Sequence, residues 1–435
     1  MFKQRMIALF VVAGLISACG AQTTPTTNPT SPAASASSTP IAVAEVSAVP
    51  AATTPATSAA NLSACVSNYV SATDYFSAKT SPSYAKEWTV EYANNYKVVT
   101  VDLDTDPTST DFDRYVLVQC GTPAPVLEGD LANALVVTIP ITRVWEGGSS
   151  TFAAMDALGV VDSLSGVVGS MTGNTNEYLP AIAAQVAQAN VIKEASYGED
   201  LELIAAGKPD IYLNTNGREW MTNARQVGIP ALHYSPFSES PLGSAEQIKF
   251  LALFYNLEAK AETIFTPIER KYLALRDQAQ AAASKPNVLI GNVTQDGRFG
   301  TRNLDRLESV LMRDAGGELV LTDAELSLGG GSGGFGSSID LEKALEVGAT
   351  ADFWFNLAYM PSEQNASEFI ASNPLNASFS ALQKGNSFHR FGRADDYFST
   401  GALRVDQLLA DAVSMLHPEL LPDHTLVFLK RIPGE

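Results

Sequence analysis

Arginine and aromatic residues recur in the segments that follow predicted strands. A guanidinium group pairs with carboxylates through parallel N–H donors, and aromatic faces stack on planar groups and attract cations. Together these residue types suit a planar or anionic organic ligand, such as a metal chelate with carboxylate or catecholate groups. The alternative for each arginine is an ordinary solvated surface charge. The candidate ligand contacts are Arg143, Trp145, Arg218, Trp220, Tyr234, Arg298, Arg302, Tyr359, Arg390, Arg393 and Tyr397.

A second pattern is a helix–turn–strand unit that occurs twice in the chain. GEDLELIAAGKPDIYLN occupies residues 198–214, and DLEKALEVGATADFWFN occupies residues 340–356. Each copy has a glutamate, Glu202 or Glu342, in the first turn of a short predicted helix. The helix dipole stabilises a carboxylate at that position, and the same carboxylate is placed to pair with an arginine of a partner. The residues alone leave both roles open.

The elements that must position these residues alternate between strands and helices from Leu131 onward. Such alternation predicts a parallel sheet with helices on both faces. A helical stretch around Pro267 divides the alternation into two halves, and whether the helix kinks or breaks at this proline stays open. The predicted fold class is therefore α/β, with two doubly wound lobes joined by a long linking helix and preceded by a β-rich leader. Because ligands of such sheets lie beyond the carboxyl ends of the strands, we expect a ligand cleft between the lobes.

The first residues have the features of a targeting segment. Lys3 and Arg5 precede an apolar stretch of about ten residues, which is too short to span a bilayer and typical of a signal peptide. ISAC follows at residues 16–19 and resembles the bacterial lipobox. That resemblance implies cleavage before Cys19 and a lipid on its sulfur. The alternative is an ordinary secretory peptide cut near Ala18.

These observations predict five segments and a location. Residues 20–60 consist mainly of Ala, Thr, Ser and Pro with a single charged residue, so little of this stretch can be buried in a core. An anchor followed by a tether predicts a protein held at the extracytoplasmic face of the cell membrane, or in the periplasm. The predicted boundaries are 1–18 for a lipoprotein signal peptide, 19–60 for a disordered tether, 61–255 for an N-terminal α/β lobe, 256–284 for the linking helix and 285–435 for a C-terminal α/β lobe.

Net charge and cysteine usage narrow the function classes. The net charge of −19 argues against nucleic-acid binding, which needs clustered Lys and Arg. Cys65 and Cys120 are the cysteines that remain after Cys19. Outside the cytoplasm a disulfide between them is permitted, and two buried free thiols are the alternative.

Two further patterns carry less weight. GGGSGGFG at residues 329–336 formally matches both a dinucleotide fingerprint and a nucleophile elbow, as a glycine-rich run does by chance, and a flexible loop is the expected role. His233 and His389 fall near predicted cleft loops, whereas a bare metal site needs three or four converging ligands. No nucleophile–His–acid set stands at a recognisable spacing, so the sequence does not favour an enzyme. We predict no resident cofactor and no protein-bound metal ion.

The repeated unit and its surroundings resemble the extracytoplasmic solute-binding proteins of ABC importers, in the subclass that takes iron–siderophore complexes, haem and cobalamin. That family carries the segment LE followed by PD and an apolar residue in each lobe. Leu201-Glu202 with Pro209-Asp210 matches it, whereas the second copy lacks the proline and has two more residues between Glu342 and its aspartate. The helical stretch PLGSAEQIKFLALFYNLEAKAETIF and the C-terminal GALRVDQLLADAVSMLHPELLPDHTLVFLKR extend the resemblance to about residues 65–432.

The resemblance implies a function. A monomeric, membrane-anchored lipoprotein would capture a small-molecule metal chelate, with an iron chelate as the first expectation and haem or cobalamin as alternatives. Glu202 and Glu342 would then dock into arginine pockets of an ABC permease dimer. A binder of free metal ions, a hydrolase and a receptor-partnered sensor remain as further alternatives.

Overall fold

The computed structural model describes residues 61–103, 111–168, 178–188, 190–194, 200–215, 217–327, 337–358, 364–390 and 396–433. The signal segment, Cys19, the tether and the glycine-rich run at 329–336 therefore lie outside the described residues. Within the described ranges, no helix is both long enough and apolar enough to cross a membrane.

The leader forms a four-stranded sheet against the first lobe. Its strands are β1 (Trp88–Tyr92), β2 (Tyr96–Asp102), β3 (Phe112–Gln119) and β4 (Leu135–Ile139), in that spatial order. β2 is antiparallel to both β1 and β3, and β4 lies parallel to β3. The alternation of β2 turns Lys97, Val99 and Val101 inward. Cys65 and Cys120 form a disulfide, with Cα atoms 4.6 Å apart, that joins the start of the leader to the end of β3.

The first lobe contains a fully parallel sheet. Its strands are β5 (Val144–Glu146), β6 (Leu164–Val168), β7 (Ile192–Glu194), β8 (Ile211–Asn214) and β9 (Ala231–His233). Their spatial order is β7-β6-β5-β8-β9, so the chain builds outward from β5 and then returns to β8 on its other side. The helices are α1 (Phe152–Leu158), α2 (Pro180–Val186), α3 (Leu201–Gly207) and α4 (Arg218–Gln226). The carboxyl ends of β5 and β8 therefore flank the topological switch point of this lobe.

The second lobe has a mixed sheet with a parallel centre. Its strands are β10 (Asn287–Val293), β11 (Phe299–Thr301), β12 (Glu318–Leu319), β13 (Ser337–Ile339), β14 (Phe353–Asn356), β15 (Ser387–Arg390) and β16 (Leu429–Arg431). The order is β13-β11-β10-β14-β15-β16, with β12 also on β10. β12, β10, β14 and β15 are parallel, whereas β11 and β16 are antiparallel to their neighbours. The switch point of this lobe lies between β10 and β14.

Two helices connect the lobes. α5 (Pro241–Leu253) is buried along its whole length, and Asn256, at a left-handed φ of 59°, separates it from α6 (Glu258–Gln280). The linking helix was predicted over 256–284 and is observed over 258–280, continuous through Pro267. The remaining helices are α7 (Leu307–Asp314), α8 (Asp323–Ser327), α9 (Leu341–Gly348), α10 (Ala366–Ser372), α11 (Ser380–Gln383) and α12 (Val405–Leu416), and a π-helical turn spans Tyr397–Gly401. One hydrophobic core runs from the leader through α5, α6 and α12 into the second lobe.

Candidate functional site

A cavity of about 280 Å³ lies where the two lobes face each other. From the first lobe it is lined by residues that follow the carboxyl ends of β5, β8 and β9, and from the second lobe by residues that follow β11 or end β15, together with residues of α7 and the π-helical turn. The cavity thus lies beyond the carboxyl ends of the first-lobe strands, where a ligand was expected. The lining residues are Ser149, Ser150, Thr215, Phe237, Arg302, Glu308, Arg390 and Phe398.

Arg390 is the most firmly held of the cationic lining residues. It ends β15, is 7% exposed, and its Nη1 donates to Oε1 of Glu308. Its Nη2 lies 3.4 Å from the Leu357 carbonyl oxygen. The guanidinium carbon lies 5.1 Å from the ring centroids of both Tyr397 and Phe398. This packing fixes the guanidinium plane before any ligand arrives.

Glu308 joins two arginines in the cavity wall. It lies in the first turn of α7 and is 1% exposed. Its Oε2 is 3.4 Å from Nε of Arg302, whose side chain remains 23% exposed. Burial alone would raise the pKa of Glu308, but the charges of Arg302 and Arg390 outweigh burial and lower that pKa below its ordinary value. The carboxylate is therefore ionised at neutral pH.

Aromatic side chains close the lobes against each other beside the cavity. Phe237 of the first lobe stacks on Tyr397 of the second at 5.9 Å and meets Phe398 edge-on at 5.3 Å. Close by, the Ala153 backbone N–H at the start of α1 donates to Ser399 Oγ at 2.9 Å. The lobes thus touch directly, and their aromatic faces border the arginine pair.

Glu146 is a carboxyl group of the site region that sequence reasoning missed. It is the last residue of β5, is 2% exposed, and accepts hydrogen bonds from Thr151 Oγ1 and, at 3.1 Å, from the Gly148 backbone. Burial raises its pKa to about 7 in spite of these bonds. The signal that could have found it is a glutamate between an apolar pair and a glycine–serine run, at the end of a strand.

Of the predicted ligand contacts, the structure brings Arg302, Arg390 and Tyr397 together at this cavity. Arg302 and Arg390 line it directly, and Tyr397 lies beneath Arg390. Tyr359 and Arg393 lie outside the described residues.

Two first-lobe predictions fail because Val144–Glu146, expected to belong to a segment that follows a strand, itself forms the strand β5. Arg143 stands at the amino end of β5, away from the cleft, and caps α3 by donating to the carbonyls of Gly207 at 2.5 Å and Lys208 at 3.1 Å. Trp145 is fully buried, and its ring lies so close to Gly166 that a Cβ there would stand 2.2 Å from it.

Four further candidates have structural partners elsewhere. Arg218 pairs with Asp111, and Arg298 donates to Asp340 at 2.9 Å. Trp220 packs on the Tyr212 ring at 5.2 Å. Tyr234 is buried, and it packs on a ring of α5 with centroids 5.9 Å apart.

The two repeated glutamates are both exposed, in the first turns of α3 and α9. α9 starts directly after β13, which runs parallel to β10, so Glu342 lies at the carboxyl edge of its sheet. α3 ends at the amino edge, where Asp210 bonds Arg143, so its first turn with Glu202 points to the carboxyl edge of the other sheet. Each glutamate therefore lies towards the cleft side of its own lobe.

The histidines near the cleft occupy strands. His233 in β9 and His389 in β15 are 8% and 1% exposed. Burial lowers the pKa of His389 to about 4, so its ring is neutral at pH 7. In the described part of the chain, no three His, Cys, Asp or Glu side chains are grouped so as to hold a metal ion.

Known proteins match both the sequence and the fold. An uncharacterized lipoprotein of Methanocaldococcus jannaschii is 28% identical over 307 residues, 68% of this chain and 70% of that protein. The CeuE protein of Helicobacter pylori with Ni(II) bound matches with a TM-score of 0.50 at 14% identity, over 66% of this chain and 88% of that one. A protein of an ABC-type Fe3+-hydroxamate transport system from Saccharomonospora viridis matches with a TM-score of 0.50 at 17% identity, over 64% and 94% of the two chains.

The family model described as periplasmic binding protein matches residues 147–389, more than half of the 435-residue chain. The matched range runs from the end of β5 to β15 and so contains the switch points of both lobes and the lining residues Arg302 and Glu308. The family inferred from the repeated unit and the two-lobed α/β fold are both confirmed. This chain is a member of the periplasmic binding protein family.

Proposed function

We propose that this protein captures an iron chelate outside the membrane and delivers it to the permease of an ABC importer. The observation that carries the proposal is the cavity between the two switch points, where a buried Arg390 and a partly exposed Arg302 face hydroxyl groups of the other lobe. The Fe3+-hydroxamate transport protein with the same fold supports this class of ligand.

Capture would use the groups already in place. Arg302 and Arg390 attract an anionic edge of the chelate, and the rings of Phe237 and Phe398 offer apolar faces to its organic part. Ser149, Ser150 and Thr215 supply hydroxyl groups from the opposite lobe. Because α6 is one continuous helix and the lobes share a core, closure on the ligand is expected to be small.

Delivery would use the exposed glutamates Glu202 and Glu342. One carboxylate on each lobe, at the same place in a repeated unit, suits a permease dimer that offers two equivalent arginine pockets. A lipid on Cys19 and the tether after it would hold the protein at the extracytoplasmic face of the membrane.

The test separates capture from delivery. Glu202→Lys combined with Glu342→Lys should abolish uptake of labelled ferric chelate by cells, while the purified variant binds that chelate as the parent does. Arg390→Ala should weaken binding itself by about tenfold or more, because the cleft loses one positive charge and Glu308 loses the guanidinium that its Oε1 contacts. Glu346→Lys, an exposed change on the same helix as Glu342, is the matched control and should leave uptake intact. Undiminished uptake by the double lysine variant would refute the docking role.

A further inference from the structure

The arginine pair of the cleft is held by an acid. Glu308 contacts Arg390 through Oε1 and approaches Arg302 through Oε2 at 3.4 Å, so its two oxygens serve two different guanidinium groups. These three are the charged residues among the described residues that line the cavity. Glu146, a buried acid at the end of β5, is not among the lining residues and accepts hydrogen bonds from Thr151 and Gly148. The lining therefore carries two positive charges and one negative charge.

That charge count leaves the cleft with an excess positive charge on the partly exposed Arg302. Arg390 is 7% exposed and Glu308 is 1% exposed, and a buried charge without a partner is strongly unfavourable. Glu308 compensates one guanidinium and leaves one positive charge over. A ligand with a single negative charge would bring the net charge of the occupied cleft to zero. An uncharged ligand would leave a net charge of plus one, and a highly anionic ligand would make the net charge negative.

The two arginines differ in how far they are already satisfied. Arg390 is bound by Glu308, lies near the Leu357 carbonyl and packs on two rings. Arg302 has Glu308 as its ion-pair partner at a longer distance and keeps 23% of its side chain exposed. The Arg302 guanidinium can therefore still donate hydrogen bonds to a ligand. Arg390 holds the Glu308 carboxylate in place, and that carboxylate offsets part of the positive charge of Arg302.

We propose that Glu308 determines the charge specificity of this cleft: by occupying both arginines it reduces the site to one net positive charge and selects chelates with a single negative charge. The inference rests on the proposed function and narrows its substrate class. Specificity of this kind is a difference between affinities for related ligands, so it is measured as a ratio.

The experiment uses three synthetic ferric complexes as probes: an uncharged hexadentate tris(hydroxamate), a singly negative tetradentate bis(catecholate) and a triply negative hexadentate tris(catecholate). Dissociation constants are measured by tryptophan fluorescence on the full chain at pH 7. Relative to the parent, Glu308→Gln should shift the ratio of affinities towards the triply negative complex by about tenfold or more, because one interior charge is removed. Arg302→Gln should shift it towards the uncharged complex, and Glu308→Asp should leave it near the parental value.

Because each variant's affinity ratio is compared with the parent's ratio, differences in probe shape cancel. A uniform loss of affinity from imperfect folding cancels as well. Parallel weakening of all three probes by Glu308→Gln and Arg302→Gln would show a merely structural role and overturn the inference, with the proposed function intact. Should Glu308→Gln fail to fold, the parent protein decides: it should bind the singly negative complex more tightly than the other two, and a preference for the triply negative complex would overturn the inference. Failure of the parent protein to bind any of the three complexes would overturn the proposed function and this inference together.

Discussion

Asp210 and Asp352 make the same contact in the two lobes. The Asp210 carboxylate accepts a hydrogen bond from the Arg143 backbone at 2.9 Å, and the Asp352 carboxylate accepts one from the Asn287 backbone, also at 2.9 Å. In the reverse direction, the backbone N–H of Asp210 donates to the Arg143 carbonyl at 2.8 Å, and that of Asp352 donates to the Asn287 carbonyl at 2.9 Å. Each pair ties the second strand at the switch point to the start of the lobe's first strand. The repeated sequence thus encodes a repeated junction, with the exposed glutamate at the far end of the helix before it.

The two junctions should differ in strength. Asp210 also accepts from the Thr142 backbone at 2.7 Å and from its hydroxyl at 3.1 Å, whereas Asp352 is more exposed. We expect Asp210→Asn to lower the free energy of unfolding by about 1–2 kcal/mol and Asp352→Asn by less than about 1 kcal/mol. Urea unfolding of the two variants and the parent measures both values. A larger loss for Asp352→Asn would contradict this ranking.

A second prediction concerns the buried ion pair between the leader and the linking helix. Lys97 and Glu258 are both fully buried, with Nζ and Oε1 2.5 Å apart. Lys97 also donates to the Leu253 carbonyl at 2.7 Å, and Asn61 donates to the other oxygen of Glu258 at 2.8 Å. Burial lowers the pKa of Lys97 to about 8, although the charge of Glu258 opposes that shift. The pair joins the leader to the first turn of α6.

Removing one member of this pair should cost much more than removing both. Lys97→Met leaves a buried, uncompensated carboxylate and is expected to lower the free energy of unfolding by about 3–5 kcal/mol. The double variant Lys97→Met with Glu258→Leu should recover most of that loss. Urea unfolding at pH 7 measures the free energies of unfolding of the parent, the single variant and the double variant. The control is Lys79→Met, which breaks an ion pair with Asp74 whose side chains are 48% and 44% exposed and should cost below about 1 kcal/mol. Equal losses in the single and double variants would argue against a coupled pair.

A third prediction concerns pH and the junction of leader, first lobe and second lobe. Glu87 of the leader and Glu239 of the first lobe are both buried, close to Arg306 of the second. Burial raises the pKa of Glu239 to about 6. Hydrogen bonds from the backbone N–H groups of Glu87 and Lys86, and the charges of Arg306 and Lys86, act in the opposite direction and limit that rise. Burial and then the charge of Glu239 raise the pKa of Glu87 well above its ordinary value, with Arg306 opposing. Asp102 adds a further, smaller upward contribution.

The sign of the pH dependence follows from these directions. A carboxyl group with a raised folded-state pKa binds more protons folded than unfolded, so its contribution to stability is complete below about pH 4.5 and is lost as the pH rises through the folded value. For Glu239, the free energy of unfolding should fall by about 2 kcal/mol as the pH rises from roughly 4.5 to above 6.

Glu87→Gln should therefore flatten the fall in stability above pH 4.5 and raise the free energy of unfolding at pH 8, because the amide cannot ionise beside Glu239. Urea unfolding at several pH values from 4.5 to 8 provides the comparison. Glu91→Gln, an exposed change in the neighbouring strand, should leave the parental slope in place. A slope that survives Glu87→Gln unchanged would place the titrating groups elsewhere.

Local patterns were sufficient for the outline of the fold. Periodicity and stop signals identified the alternating strands and helices, and the repeated unit identified the two lobes and the family. These features depend on residues within one or two turns of each other, which a linear sequence displays directly. The strand Val144–Glu146 was not predicted, because a buried strand of three residues has too little periodicity to distinguish it from a loop.

The sequence by itself therefore determined the fold class, the family and the equivalence of Glu202 with Glu342. Only the tertiary structure decided which arginines share the cleft. Arg390 and Glu308 are 82 residues apart in the chain, yet Arg390 Nη1 donates to Glu308 Oε1. Arg143, itself predicted as a ligand contact, lies at the opposite edge of its sheet. The physical reason is that a strand carries its two ends to opposite edges of the sheet, and sheet order, set by burial over the whole core, selects which ends meet.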